Sequence, residues 1–189
     1  MTAIDNLWLT TMISDRNSFR TVIAEIFNLF SPITWSLIFA IMIAYFIYQR
    51  SFRVATFIAG SAGLWLIITT VIKHIVQRPR PPQNDWLVQA QGYSFPSGHS
   101  GGIACFVTVC ILIFRKVWVQ LSGALLVLIM MWSRTYLGVH YLTDVIAGAI
   151  IGVASAYLAW YLVSKFYESV YTKLLGLITN KSSKTTVKN

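Results

Sequence analysis

A chain of 189 residues with 56% hydrophobic side chains and only 11% charged ones departs from soluble domains, which carry about 25% charged residues. Its mean hydropathy of +0.64 makes an integral membrane protein of one domain the expectation. The formal net charge is +9, but the basic residues sit in short loops between apolar runs. That pattern excludes a nucleic-acid-binding tract and reads as membrane topology.

The stretch up to Phe30 carries Asp5, Asp15, Arg16, Arg20 and Glu25, too many charges for a membrane span. Ile23, Ile26, Phe27 and Phe30 follow helical spacing, which predicts an amphipathic helix lying at the outer interface. No basic n-region precedes an apolar h-region, so no cleavable signal peptide is expected. Uncharged runs then predict five transmembrane helices, at 33–49, 54–72, 100–114, 117–133 and 145–164. The third is short for a hydrocarbon core that takes roughly 17–25 helical residues, unless the turn before it contributes. The expected fold class is therefore all-α, a polytopic bundle of about five transmembrane helices plus the N-terminal interfacial helix. Residues 1–175 read as one membrane domain and 176–189 as a polar cytoplasmic tail, whose end, KSSKTTVKN, has the composition of unstructured chain.

Five spans place the chain ends on opposite sides. Arg50, Arg53, Arg115, Lys116, Lys165, Lys173, Lys181, Lys184 and Lys188, nine of the fifteen basic residues, fall on one side, which the positive-inside rule makes cytoplasmic. The long 73–99 loop then faces away from the cytoplasm, in the cell membrane. Trp35, Trp65, Trp86, Trp118, Trp132 and Trp160 lie mostly near span ends, as interfacial anchors do. Cys105 and Cys110 sit in an apolar run and read as small packing residues without a disulfide. Gly148 and Gly152 form a small-xxx-small pair that suits close helix packing, within one chain or between two.

All three histidines lie in KHIVQRPRP (73–81), PSGH (96–99) and SRTYLGVHYLTD (133–144). In a chain with few ionisable groups, such clustering points to function. His140 and Asp144 are four apart and would share a helix face. A carboxylate on one imidazole nitrogen fixes the tautomer and sharpens the other nitrogen as a nucleophile; alone, the pair reads as well as a capping aspartate beside an interfacial histidine. In PSGH, Ser97 can cap the third span, Gly98 allows close approach to an anion at the helix start, and His99 is placed to give a proton to a leaving oxygen. Lys73, Arg80 and Arg134 supply fixed positive charge suited to a phosphoryl group. Arg78 reads as a headgroup anchor. The same histidines and aspartate could hold zinc, but the surrounding cations repel a dication, so no metal and no cofactor are expected.

Together these stretches resemble the signature of the type 2 phosphatidic acid phosphatase superfamily. Lys73 is followed by six residues and Arg80-Pro81; Pro96, Ser97, Gly98 and His99 stand in order; Ser133-Arg134 is followed by five residues, His140, three residues and Asp144. The resemblance implies that His140 is the nucleophile, forming a phosphohistidine, that Asp144 orients it, and that His99 protonates the leaving group. It implies that Lys73, Arg80, Ser97, Gly98 and Arg134 bind the phosphate, without a metal. The implied partner is a lipid phosphate in the bilayer. Undecaprenyl diphosphate is favoured over phosphatidylglycerophosphate or phosphatidic acid, and a lipid-binding or transport protein with a degenerate site is the reading of another class. Many bacterial members of this family have a sixth span, where this sequence offers five.

Overall fold

The computed structural model describes residues 2–185, and side chains through residue 169. Its described part is all-helical: α1 (Ala3–Ser14), α2 (Ser18–Asn28), α3 (Pro32–Tyr48), α4 (Phe52–Val76), α5 (Gly98–Phe114), α6 (Val117–Tyr136) and α7 (Leu142–Thr185), with a short 3₁₀ turn at Gln83–Asp85. Short polar side chains set the starts. Thr2, Asn17, Ser31 and Ser97 each accept from a backbone N–H in the first turn of the following helix, satisfying donors that the helix itself leaves open. Gln77 (φ 48°) and Arg115 (φ 53°) end α4 and α5 in the left-handed region.

Each of the five expected spans is a helix. Three helices, α4, α6 and the Leu142–Ser169 part of α7, are alone long and apolar enough to cross a membrane. α3 joins α2 across a 50° bend, and α5 has only 17 residues. α5 is central, and most of its residues from Gly98 to Val109 are buried, as expected of a helix apolar all round. α7 lies directly on it. A Cβ at Gly148 would stand 2.3 Å from the Ser97 carbonyl oxygen, and one at Gly152 would stand 2.2 Å from that of Gly101. The glycine pair therefore packs two helices of the same chain. Outward-facing Ile33, Leu37, Ile41, Ile67, Leu121, Leu125, Leu128 and Ile150 are exposed, which suits lipid contact.

Two expectations are corrected and one is extended. The expected N-terminal amphipathic helix is α2, a further helix, α1, precedes it, and both pack on the bundle: α1 buries Asp5, Leu9 and Met12, and α2 buries Ala24. Trp35 and Trp65 are core residues, 4% and 0% exposed, because glycines 101 and 102 leave room for their indoles on α5. α7 continues through Lys181–Thr185, where the composition suggested unstructured chain; residues 186–189 lie outside the described residues.

Helix alternation brings the C-terminal ends of α4 and α6, the N-terminal ends of α5 and α7, and the α2–α3 corner to one end of the bundle. The loops holding Arg50, Ser51, Arg115 and Lys116 close the other end.

Candidate active site

At the first end lies a cavity of ≈ 360 Å³. Six of the eight residues singled out from sequence line it: Lys73, Arg80, Gly98, His99, Arg134 and His140. Asp144 lies behind His140. Ser97 does not line the cavity; it is fully buried, and its Oγ accepts from the Ser100 hydroxyl at 3.2 Å because it is the cap of α5.

His140 sits in the turn before α7 rather than on a helix, so the shared helix face expected for His140 and Asp144 does not form; only Asp144 is in the first turn of α7. His140 is 2% exposed. Its Nε2 lies 3.2 Å from Arg80 Nη1. A guanidinium can only donate, so Nε2 must accept and the ring proton belongs on Nδ1. Nδ1 faces Asp144 Oδ2 at 3.5 Å, an ion-pair separation longer than a hydrogen bond. Asp144 is engaged elsewhere, with Oδ2 accepting from the Tyr141 amide at 2.9 Å and Oδ1 from Arg78 at 2.6 Å. Burial first, then the charges of Arg80, Arg134 and Lys73, hold the His140 pKa well below the usual histidine range. The ring is thus neutral near pH 7, with a lone pair toward the cavity.

Two of the cations, Arg80 and Lys73, are held by backbone carbonyls. Arg80 donates to the carbonyls of Gly92 (3.0 Å), Gln91 (2.8 Å) and Val139 (2.8 Å), and Lys73 donates to that of Tyr93 at 2.7 Å. Arg134, 2% exposed, donates to Asn28 Oδ1 at 2.6 Å, while its buried Nε has no hydrogen-bond partner. Three fixed cations and the start of α5 surround the space in front of Nε2, an arrangement suited to an anion with several oxygens. Among the described residues, no group of three or more His, Cys, Asp and Glu side chains is placed to hold a metal ion. His74, the third histidine, is outside the cavity, with Nδ1 at 2.8 Å from the Thr70 carbonyl oxygen of its own helix.

Arg78 is corrected from headgroup anchor to internal partner. Its guanidinium bonds Asp144, Thr143 and Asp5 and lies 4.3 Å over the Tyr141 ring. Asn28, Ser31, Gln89 and Gln91 also line the cavity and were not identified from sequence. Asp5, which Arg78 bonds, was also not identified from sequence, although its helical spacing from Leu9 and Met12 puts it on the face that α1 buries.

The PAP2 superfamily pattern matches residues 34–168. The chain is 33% identical over 114 residues to phosphatidylglycerophosphatase B of Bacillus subtilis, covering 55% of this chain and 53% of that protein. It is 31% identical over 186 residues to dolichyldiphosphatase of Saccharomyces cerevisiae, covering 89% and 72% respectively. The chain thus spans about half the length of the first relative. The crystal structure of a transmembrane PAP2-type phosphatidylglycerolphosphate phosphatase from Bacillus subtilis superposes with a TM-score of 0.71 at 25% identity, covering 88% of this chain and 85% of that one.

Proposed function

The chain belongs to the PAP2 superfamily, and from that membership we propose that it hydrolyses a lipid phosphate or diphosphate at this cavity by transfer of the phosphoryl group to His140. The observation that carries the reading is the neutral Nε2 of His140 facing a cavity lined by Lys73, Arg80 and Arg134. Nε2 exchanges its contact with Arg80 for the phosphorus atom. The P–O bond to the lipid breaks, and His99, whose pKa burial and the Arg134 charge hold low until the entering phosphate anion stabilises its protonated form, gives its proton to the leaving oxygen. Water then attacks phosphorus, His99 takes a proton from it, and the P–N bond breaks to release inorganic phosphate. Asp144 steadies the positive charge that develops on the ring. Lys73, Arg80, Arg134 and Gly98, at the Ser97-capped start of α5, bind the equatorial oxygens. The cations take the part a metal would play, so no metal is required.

Undecaprenyl diphosphate is the favoured substrate. A relative matching 89% of the chain is named as a diphosphatase, and the loop charges turn the cavity away from the cytoplasm. The Bacillus relative favours phosphatidylglycerophosphate as the second reading. Solubilised full-length protein should release phosphate from undecaprenyl diphosphate with a higher kcat/KM than from phosphatidylglycerophosphate or phosphatidic acid. The activity should survive EDTA and be inhibited by vanadate, which mimics five-coordinate phosphorus. Preference for phosphatidylglycerophosphate would move the assignment to the second reading, and loss on chelation restored by magnesium or zinc would overturn metal independence.

The orientation has its own test. A topology reporter fused after Lys116 should read cytoplasmic and one inserted near Gln89 should read external. The reverse result would remove the external lipid pool as the source of substrate.

A further inference from the structure

We propose that Asp5 is a positioning residue for the reaction at His140, acting through Arg78 and Thr143 on Asp144. The proposal rests on the phosphatase reading above. Asp5 belongs to α1, outside the 34–168 region of the family match, yet it is 0% exposed. Its Oδ1 accepts from the Thr143 amide at 3.1 Å and from the Thr143 hydroxyl at 2.9 Å. Its Oδ2 accepts from Thr2 Oγ1 at 2.9 Å and from Arg78 Nη2 at 2.8 Å. Arg78 Nη1 reaches Thr143 Oγ1 and Asp144 Oδ1, both at 2.6 Å. One guanidinium is therefore forked between two fully buried carboxylates.

A buried carboxylate is a costly way to attach a helix. α1 has other attachments: Leu9 and Met12 are buried, and the Trp8 indole donates to Thr135 at 3.0 Å. The charge has a different consequence. Were Arg78 paired with Asp144 alone, the two charges would cancel behind His140. Because Asp5 shares the same cation, Asp5, Arg78 and Asp144 together keep one net negative charge on the Nδ1 side of the ring. Three cations, Lys73, Arg80 and Arg134, line the cavity that Nε2 faces. Asp5 also fixes Thr143, and with it the first turn of α7 from which Asp144 projects. Burial alone would raise the Asp5 pKa, but the Thr143 amide, Arg78, Thr2 and the Thr143 hydroxyl outweigh it and hold it at about 2, so the carboxylate stays charged throughout the working pH range.

The test compares full-length wild type, D5N, W8F, D144N and D5N/D144N in detergent, with radiolabelled lipid phosphate as substrate. D5N should lower kcat by about 10–100-fold, the usual effect of losing the partner of a functional group, while KM stays within about twofold. W8F, which removes a different attachment of α1, should keep wild-type kcat. In the D144N background, D5N should cost no more than about twofold, because its effect passes through Asp144. Wild-type kcat in folded D5N, or the same loss with and without Asp144, would overturn the proposal. If D5N fails to fold, R78K reads the same relay: it keeps the charge but loses the fork, and should lower kcat with KM kept, whereas wild-type kcat in R78K would overturn it. A wild-type chain inert toward every lipid phosphate would instead sink the phosphatase reading and this proposal with it; an active wild type with an equally active D5N sinks this proposal alone.

Discussion

Turnover by His140→Ala should fall by about 10⁴-fold or more, the scale on which a nucleophile and its partners act as one unit. In the proposed mechanism the substitution removes both the nitrogen that meets phosphorus and the group that Asp144 steadies, and it does so at a side chain that is 2% exposed. Neither Ser97 nor Lys73 replaces it: the Ser97 hydroxyl is occupied as the cap of α5, and Lys73 is a cation bonded to the Tyr93 carbonyl. Phosphate release measured at matched amounts of folded protein checks this. Activity within tenfold of wild type would exclude His140 as the attacking group.

His99→Ala should separate substrates by their leaving groups. General acid catalysis contributes about 10²–10⁴-fold, and it matters most when the departing oxygen is a poor leaving group. A lipid monophosphate expels an alkoxide. A lipid diphosphate expels a lipid phosphate, which needs less help. His99 lines the cavity from the first turn of α5, together with Gly98 and Pro32. The variant should therefore lose about 10²–10⁴-fold on monophosphates and distinctly less on diphosphates. Equal losses on both substrates would contradict the acid role and leave His99 as a structural or phosphate-binding residue.

What could be read in the sequence was what is local or regularly spaced. The five uncharged runs became α3 to α7, because excluding charge from an apolar environment is a property of each run by itself. The three short stretches converge because each borders a span end on the same side of the bundle. What could not be read was long-range pairing. Arg78 looks like any basic residue at a span end, and its partners lie 66 and 73 positions away. Asp5 sits in a segment whose charges suggested solvent or headgroups, yet its spacing with Leu9 and Met12 puts it on the buried face. Trp35 and Trp65 were misplaced for a related reason. An indole near a span end suits the interface equally well, and only the facing glycines of α5 decide for the core. Asp144 shows the remaining limit: its spacing from His140 was evident, but not that the Tyr141 amide and Arg78 would share its oxygens.

The most direct test of the account is the location of the transferred phosphoryl group. Solubilised protein mixed with radiolabelled lipid phosphate and quenched under alkaline conditions, which preserve phosphohistidine, should carry label on the peptide containing His140 and none in His140→Ala. Label on His99, or label persisting in His140→Ala, would contradict the assignment of His140 as the nucleophile.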